Sequence, residues 1–143
     1  MTRVLAAAFL CLLPTFALAE TTPTAAAAPA PLGTERGEFF ATVEVPSGLT
    51  ANEVKEAIIM TLAGREWGVK ERTDTQVVGY LKHRSNEAKV TLIYTTEKVD
   101  IYCVGWAIKK STGERKGPEQ PKGWLKYLQG DLTKKLNTAI TTK

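Results

Sequence analysis

Residues 75–108 read TQVVGYLKHRSNEAKVTLIYTTEKVDIYCVGWAI, and their alternation decides the fold. Val77, Gly79 and Leu81 recur at every second position, as do Ala88, Val90, Leu92 and Tyr94, then Val99, Ile101, Cys103 and Gly105. A period of two places each set on one face of a strand. The breaks fall at Arg84-Ser85-Asn86 and Thr96-Glu97-Lys98, and gaps that short join antiparallel neighbours. The spacing predicts strands over 75–83, 87–95 and 99–108. A shorter extended piece over 67–72 precedes them, turning at Thr73-Asp74. The result is a meander whose inward sets line a core.

The flanks supply what covers that core. Thr50 followed by Glu53 is a capping box, and Leu49 with Val54 can form the hydrophobic staple around it. Behind that start, Val54, Ala57, Ile58, Thr61, Leu62 and Arg65 keep helical spacing, while Glu53, Lys55 and Glu56 fall on the polar side. This predicts a helix over about 49–66, with Gly64 loosening its last turn. Ahead of it, Phe39, Ala41, Val43 and Val45 alternate with Phe40, Thr42 and Glu44, an edge strand closed by Pro46-Ser47-Gly48. After the meander, residues 109–123 read as a long polar loop carrying Gly113, Gly117, Pro118 and Pro121. Trp124, Leu125, Tyr127, Leu128, Leu132, Leu136 and Ile140 define a closing helix over about 121–140, in which Gly130 costs about 1 kcal/mol relative to alanine. The expected fold class is α+β: an antiparallel four- to five-stranded meander packed by two helices.

The order of strand, capped helix ending in Trp67-Gly68-Val69, meander, then a loop into Trp124-Leu125-Lys126-Tyr127-Leu128 resembles a group of small secreted proteins and lipoproteins of Gram-negative bacteria. The likeness covers roughly residues 39–136 and rests on core and turn positions. It implies the fold and a place in the cell envelope, and no activity.

The start of the chain reads as an export signal. Met1-Thr2-Arg3 is basic, residues 4–13 are apolar, Pro14 breaks the run, and Ala17-Leu18-Ala19 offers small residues before Glu20. The expectation is a cleaved signal peptide over 1–19, a disordered Thr/Ala/Pro-rich tether over 20–36, and one α+β domain over 37–143. That makes the mature chain periplasmic or secreted, without a transmembrane helix. Ala8-Phe9-Leu10 ahead of Cys11 lacks the small residues of a lipid-attachment site, so a lipid anchor is not expected. Cys103 then remains as a single thiol, read as a small buried apolar side chain.

No catalytic constellation emerges, and the protein is read as a non-enzyme without cofactor or metal. His83, the only histidine, sits between Lys82 and Arg84 with no nucleophile or orienting group at useful spacing. Glu35 with Glu38 and Glu53 with Glu56 are simple pairs, and Gly113-x-x-x-Gly117 lacks the lysine and hydroxyl of a phosphate loop.

One feature stands out: the other face of the meander. Val78, Tyr80, Lys82 and Arg84 alternate outward on one strand and Tyr102, Val104, Trp106 and Ile108 on another. A face turned to water is normally polar. Three readings compete. The closing helix covers this face through Trp124, Tyr127 and Leu128. Alternatively the face binds a protein or a second copy of the chain. Or its aromatics, with Lys82, Arg84, Lys109 and Lys110, hold an anionic ligand such as a lipid head group or glycan. Charge placement bears on the last. Residues 20–108 hold 9 basic and 12 acidic side chains, whereas residues 109–143, including Arg115 and Lys116, hold 9 basic and 3 acidic. An exported protein has no nucleic acid to meet, and no groove-reading motif is visible. The candidate binding face is therefore Tyr80, Lys82, Arg84, Tyr102, Trp106, Lys109, Lys110, Arg115 and Lys116. The expected function is binding of an envelope macromolecule or assistance in envelope assembly, with anionic-surface or small-ligand binding as the alternative.

Overall fold

A computed structural model describes residues 36–142. The leader, Cys11 and all of the tether except Arg36 lie outside the described residues. The elements run β1 (Glu38–Glu44), α1 (Ala51–Gly64), β2 (Gly68–Arg72), β3 (Gln76–His83), β4 (Asn86–Tyr94), β5 (Lys98–Ile108), β6 (Arg115–Pro118) and α2 (Lys122–Thr141).

The capping box forms as read. The Glu53 N–H donates to Thr50 Oγ1 at 3.3 Å, and the Thr50 N–H donates to Glu53 Oε2 at 2.7 Å. Leu49 and Val54 are both buried beside it, and α1 turns Val54, Ala57, Ile58, Thr61 and Leu62 inward. The one polar member, Thr61, donates its hydroxyl to the Ala57 carbonyl at 2.7 Å. The helix ends in a Schellman arrangement: the Trp67 N–H donates to the Leu62 carbonyl and the Glu66 N–H to the Ala63 carbonyl. Glu66 therefore occupies the left-handed position (φ 62°) that glycine usually takes, and Gly64 lies two residues too early to do so. Trp67 belongs to this cap, packing edge-on against Trp124, rather than to β2.

Strands β2 to β5 form the expected antiparallel meander, giving the order β1-β5-β4-β3-β2, with β6 also paired to β5. β1 and β6 share one edge of β5: β1 runs along residues 98–103 and β6 along residues 106–108. The sheet has six strands, and the sixth lies inside the segment read as a loop. Arg115-Lys-Gly-Pro118 has no strand pattern of its own. It becomes a strand because the edge of β5 beyond β1 offers it partners.

β1 brings a second correction. Its pairing shifts register between Phe39, opposite Tyr102, and Ala41, opposite Ile101. The bulge turns Phe40 toward the core and leaves Phe39 57% exposed on the opposite side. Phe39 thus parts company with Val43 and Val45, which are buried as the alternation predicts.

Both helices pack on the same face of the sheet. α1 lies over β2, β3 and β4, α2 lies beside it over β1, and Leu125, Leu128, Leu132 and Leu136 join one core with Val54, Ile58, Leu62, Val77, Val90, Val99 and Ile101. Gly79 permits the approach: a Cβ there would meet the Leu62 methyls at 3.0 and 3.3 Å. The closing helix therefore does not cover the second face. Trp124 faces the core side, and Tyr127 is 63% exposed, with the Arg65 guanidinium 5.1 Å from its ring centre.

Candidate functional site

The second face follows from the strand phase. With Ala88, Val90, Leu92 and Tyr94 inward, Glu87, Lys89, Thr91 and Ile93 point the other way. The sheet register then sets Glu87 between Lys82 and Trp106, Lys89 between Tyr80 and Val104, and Thr91 between Val78 and Tyr102. Glu87, Lys89 and Thr91 are each buried despite being polar.

Glu87 organises one half of this face. Arg115 grips its carboxylate with two hydrogen bonds, Nε to Oε2 at 3.1 Å and Nη2 to Oε1 at 2.7 Å. Tyr80 Oη donates to Oε1 at 2.6 Å. The Arg115 guanidinium stands over Trp106, 3.9 Å from the ring centre. The Arg115 hydrogen bonds hold the Glu87 carboxyl below its ordinary range, with help from the Tyr80 hydroxyl and against the effect of burial. Burial, reinforced by the bond to Glu87, pushes the Tyr80 hydroxyl up to about 12. Glu87 is thus charged and Tyr80 neutral across the physiological range.

Tyr102 organises the other half. Phe39 meets its ring edge-on at 5.5 Å, and the Arg36 guanidinium sits 5.1 Å from its centre. Nearby, Thr42 Oγ1 donates to Asp100 at 2.6 Å and Lys98 pairs with the same carboxylate at 2.9 Å; these hold Asp100 below its usual range, the Thr42 bond foremost. Across the sheet, Lys70 Nζ stands 5.7 Å from the Tyr80 ring.

The structure therefore brings Tyr80, Trp106 and Arg115 together around Glu87, with Lys82 directly opposite that carboxylate, and sets Tyr102 in a second aromatic cluster. Arg84, Lys109, Lys110 and Lys116 are not on the face. Arg84 sits in the β3–β4 turn with φ 54°, Lys109 pairs with Glu114 at 3.3 Å, Lys110 is exposed beyond the end of β5, and Lys116 is exposed on β6 where its pairing with β5 shifts register. The sequence reading omitted Glu87, Phe39, Arg36 and Lys70. Glu87 was legible, since it holds the outward phase of a strand whose inward set was identified. Phe39 was hidden by the bulge.

Cys103 is 1% exposed on the core side, and burial pushes its thiol up to about 12. His83 packs edge-on near Trp124, ring centres 6.3 Å apart. Among the described residues, no group of three or more His, Cys, Asp or Glu side chains is placed to hold a metal ion. Between β1 and β6 the edge of β5 carries an open notch of about 670 Å³, with Arg36, Glu38 and Glu119 among its lining residues. No described helix is long and apolar enough to cross a membrane. No protein-family model matches the chain, and no curated protein shows significant sequence similarity to it.

Proposed function

We propose that the protein is a non-enzymatic binding module of the cell envelope that engages another macromolecule through the sheet face opposite its helices. The observation that carries this reading is the placement of both helices on one face. It leaves Phe39, Tyr80, Tyr102 and Trp106 on the other side, in company with Arg36, Lys70 and Arg115 rather than in a core. Aromatic and arginine side chains dominate the energetics of protein interfaces, the aromatics because they bury much area at little entropic cost and arginine through its planar, multiply donating guanidinium. Here hydrogen bonds and stacking already order them, so a partner need not.

The envelope assignment rests on the leader-like first nineteen residues and on the likeness to exported Gram-negative domains. The non-enzymatic assignment rests on the buried thiol of Cys103 and on the use of Glu87 as a structural anion.

Site-specific photocrosslinking in intact cells tests the reading. A photoreactive residue replacing Phe39 or Val104 on the sheet face is expected to give a discrete adduct, and one replacing Met60 on the helical side is expected to give none. Adducts from Met60 alone, or from no position, would remove the sheet face from consideration.

A further inference from the structure

The cations that are not on the face gather at one end of the sheet. The β3–β4 turn ends there with Arg84, the β5–β6 turn with Lys109 and Lys110, and α2 begins there at Lys122. The three segments touch. The Ile108 N–H donates to the Ser85 carbonyl at 2.6 Å. Residues 83–86 and Pro121, Gly123 and Trp124 line one open hollow of about 490 Å³.

Of the acids near this end, Glu87 is engaged by Arg115 and Glu114 by Lys109, while Glu119 ahead of α2 and Glu66 behind α1 are exposed and form no ion pair among the described residues. Arg84, Lys110, Lys116, Lys122 and Lys126 are exposed and form no ion pair among the described residues. The opposite end carries Glu44, Asp74 and Glu97 together with Lys55, which pairs with Asp74, and Arg72 and Lys98, so the excess of cations belongs to the first end alone. Part of the sequence asymmetry of residues 109–143 is thereby a spatial one.

We propose that this end docks the protein on an anionic phospholipid bilayer. The five cations stand on three separate segments and project outward, whereas a site for one compact anion would converge on a point. Four of the five are lysines, point charges on flexible stems, which suit mobile phosphate head groups better than a fixed bidentate partner. Trp124, half-buried in the hollow, is the residue type that sits at a lipid–water boundary. Docking by the end of the sheet also leaves the aromatic face standing clear of the bilayer. The inference goes beyond the sheet-face reading and does not depend on it.

The test is sedimentation of the full chain with vesicles of phosphatidylcholine alone or with about 30% phosphatidylglycerol, reading the increment the anionic lipid adds. That increment is expected to fall steeply between about 50 and 200 mM salt. Each neutralised cation is expected to reduce it about fivefold, so Lys110→Gln with Lys116→Gln should lower it by about 25-fold. Lys134→Gln with Lys135→Gln, an equal charge change on the far half of α2, should leave it nearly intact. All four lysines are exposed, so both variants should keep the parent's thermal midpoint. Equal losses from the two pairs, an increment insensitive to salt, or no increment would each overturn the proposal. So would binding of soluble polyphosphate without binding of vesicles. Vesicle binding that survives Phe39→Ser while the crosslink is lost would separate this end from the sheet face.

Discussion

Replacing Arg115 by methionine tests the Glu87 cluster most directly. Methionine keeps apolar contact with Trp106 and removes both hydrogen bonds to a carboxylate whose side chain is only 8% exposed. Breaking a fully buried pair from one side costs about 3–5 kcal/mol, because the remaining charge is stranded. Arg115 itself is 27% exposed, and Tyr80 still donates to Glu87, so the expected loss at neutral pH is about 2–3 kcal/mol. For a domain of this size that lowers the thermal midpoint by roughly 10 °C.

The pH dependence separates charge stranding from lost packing. In the parent, the Glu87 carboxyl lies below its ordinary range, so it contributes stability that is complete above the unfolded value of about 4.3 and lost as pH falls through the lower native value. Without Arg115 the dominant influence on this carboxyl becomes burial, which raises it. The variant then takes up a proton at a pH where the parent is still charged, and the stability gap between them narrows from pH 7 to pH 4. Urea titrations followed by tryptophan fluorescence at the two pH values measure that gap. Adding Glu87→Gln to Arg115→Met removes the stranded charge and should recover about half of the neutral-pH loss. A gap under about 0.5 kcal/mol, or one that does not change with pH, would show that Glu87 is solvated and that the cluster is ornamental.

Other predictions follow from single positions. Glu66→Gly should stabilise the domain by about 0.5–1 kcal/mol, since the left-handed Schellman position strains any residue with a Cβ; a destabilised variant in chemical denaturation would contradict the cap geometry. Gly105→Ala should cost more than about 2 kcal/mol, because a Cβ there would meet the Glu119 carbonyl oxygen at 2.3 Å and Pro121 Cδ at 2.7 Å; unchanged thermal stability would mean the chain does not cross β5 there. Cys103 should react with thiol reagents at pH 8 only through unfolding, because its thiol is buried and neutral. Labelling at the rate of a free peptide thiol would refute that.

The legible parts of the fold are those specified by local pattern. Strict alternation gave β3, β4 and β5 to within a residue or so, and the Thr50–Glu53 box gave the start of α1. Where a tertiary contact overrides local pattern, the reading failed. Phe39 follows the same alternation as Val43, yet a bulge against Tyr102 and Ile101 reverses its side. The helix α1 was expected to run to about Glu66, whereas it ends at Gly64 and the chain turns at Glu66, whose left-handed conformation no propensity favours. Which face α2 covers was undetermined in sequence, because Trp124, Leu125, Tyr127 and Leu128 could pack on either. The leucine stripe at 125, 128, 132 and 136 joins α1, and that leaves only Tyr127 turned outward.

β6 shows why the site and the fold are one problem. Arg115-Lys-Gly-Pro118 contains a glycine, a proline and two cations, and nothing in it favours an extended partner strand. Its pairing with β5 is short and shifts register between Ala107 and Ile108. What fixes it is Arg115, which passes over Trp106 on β5 to reach Glu87 on β4, so a single ion pair spans three strands. A buried pair of this kind is weak evidence of net stability, but it does select one register, since any slip strands Glu87 without its cation. The same residue therefore orders the aromatic face and holds the segment that carries Lys110 and Lys116 at the end of the sheet. Loss of Arg115 should then free residues 109–120 to exchange amide hydrogens rapidly while β3 and β4 remain protected. Uniform loosening of the whole sheet would mean that β6 is held by β5 alone.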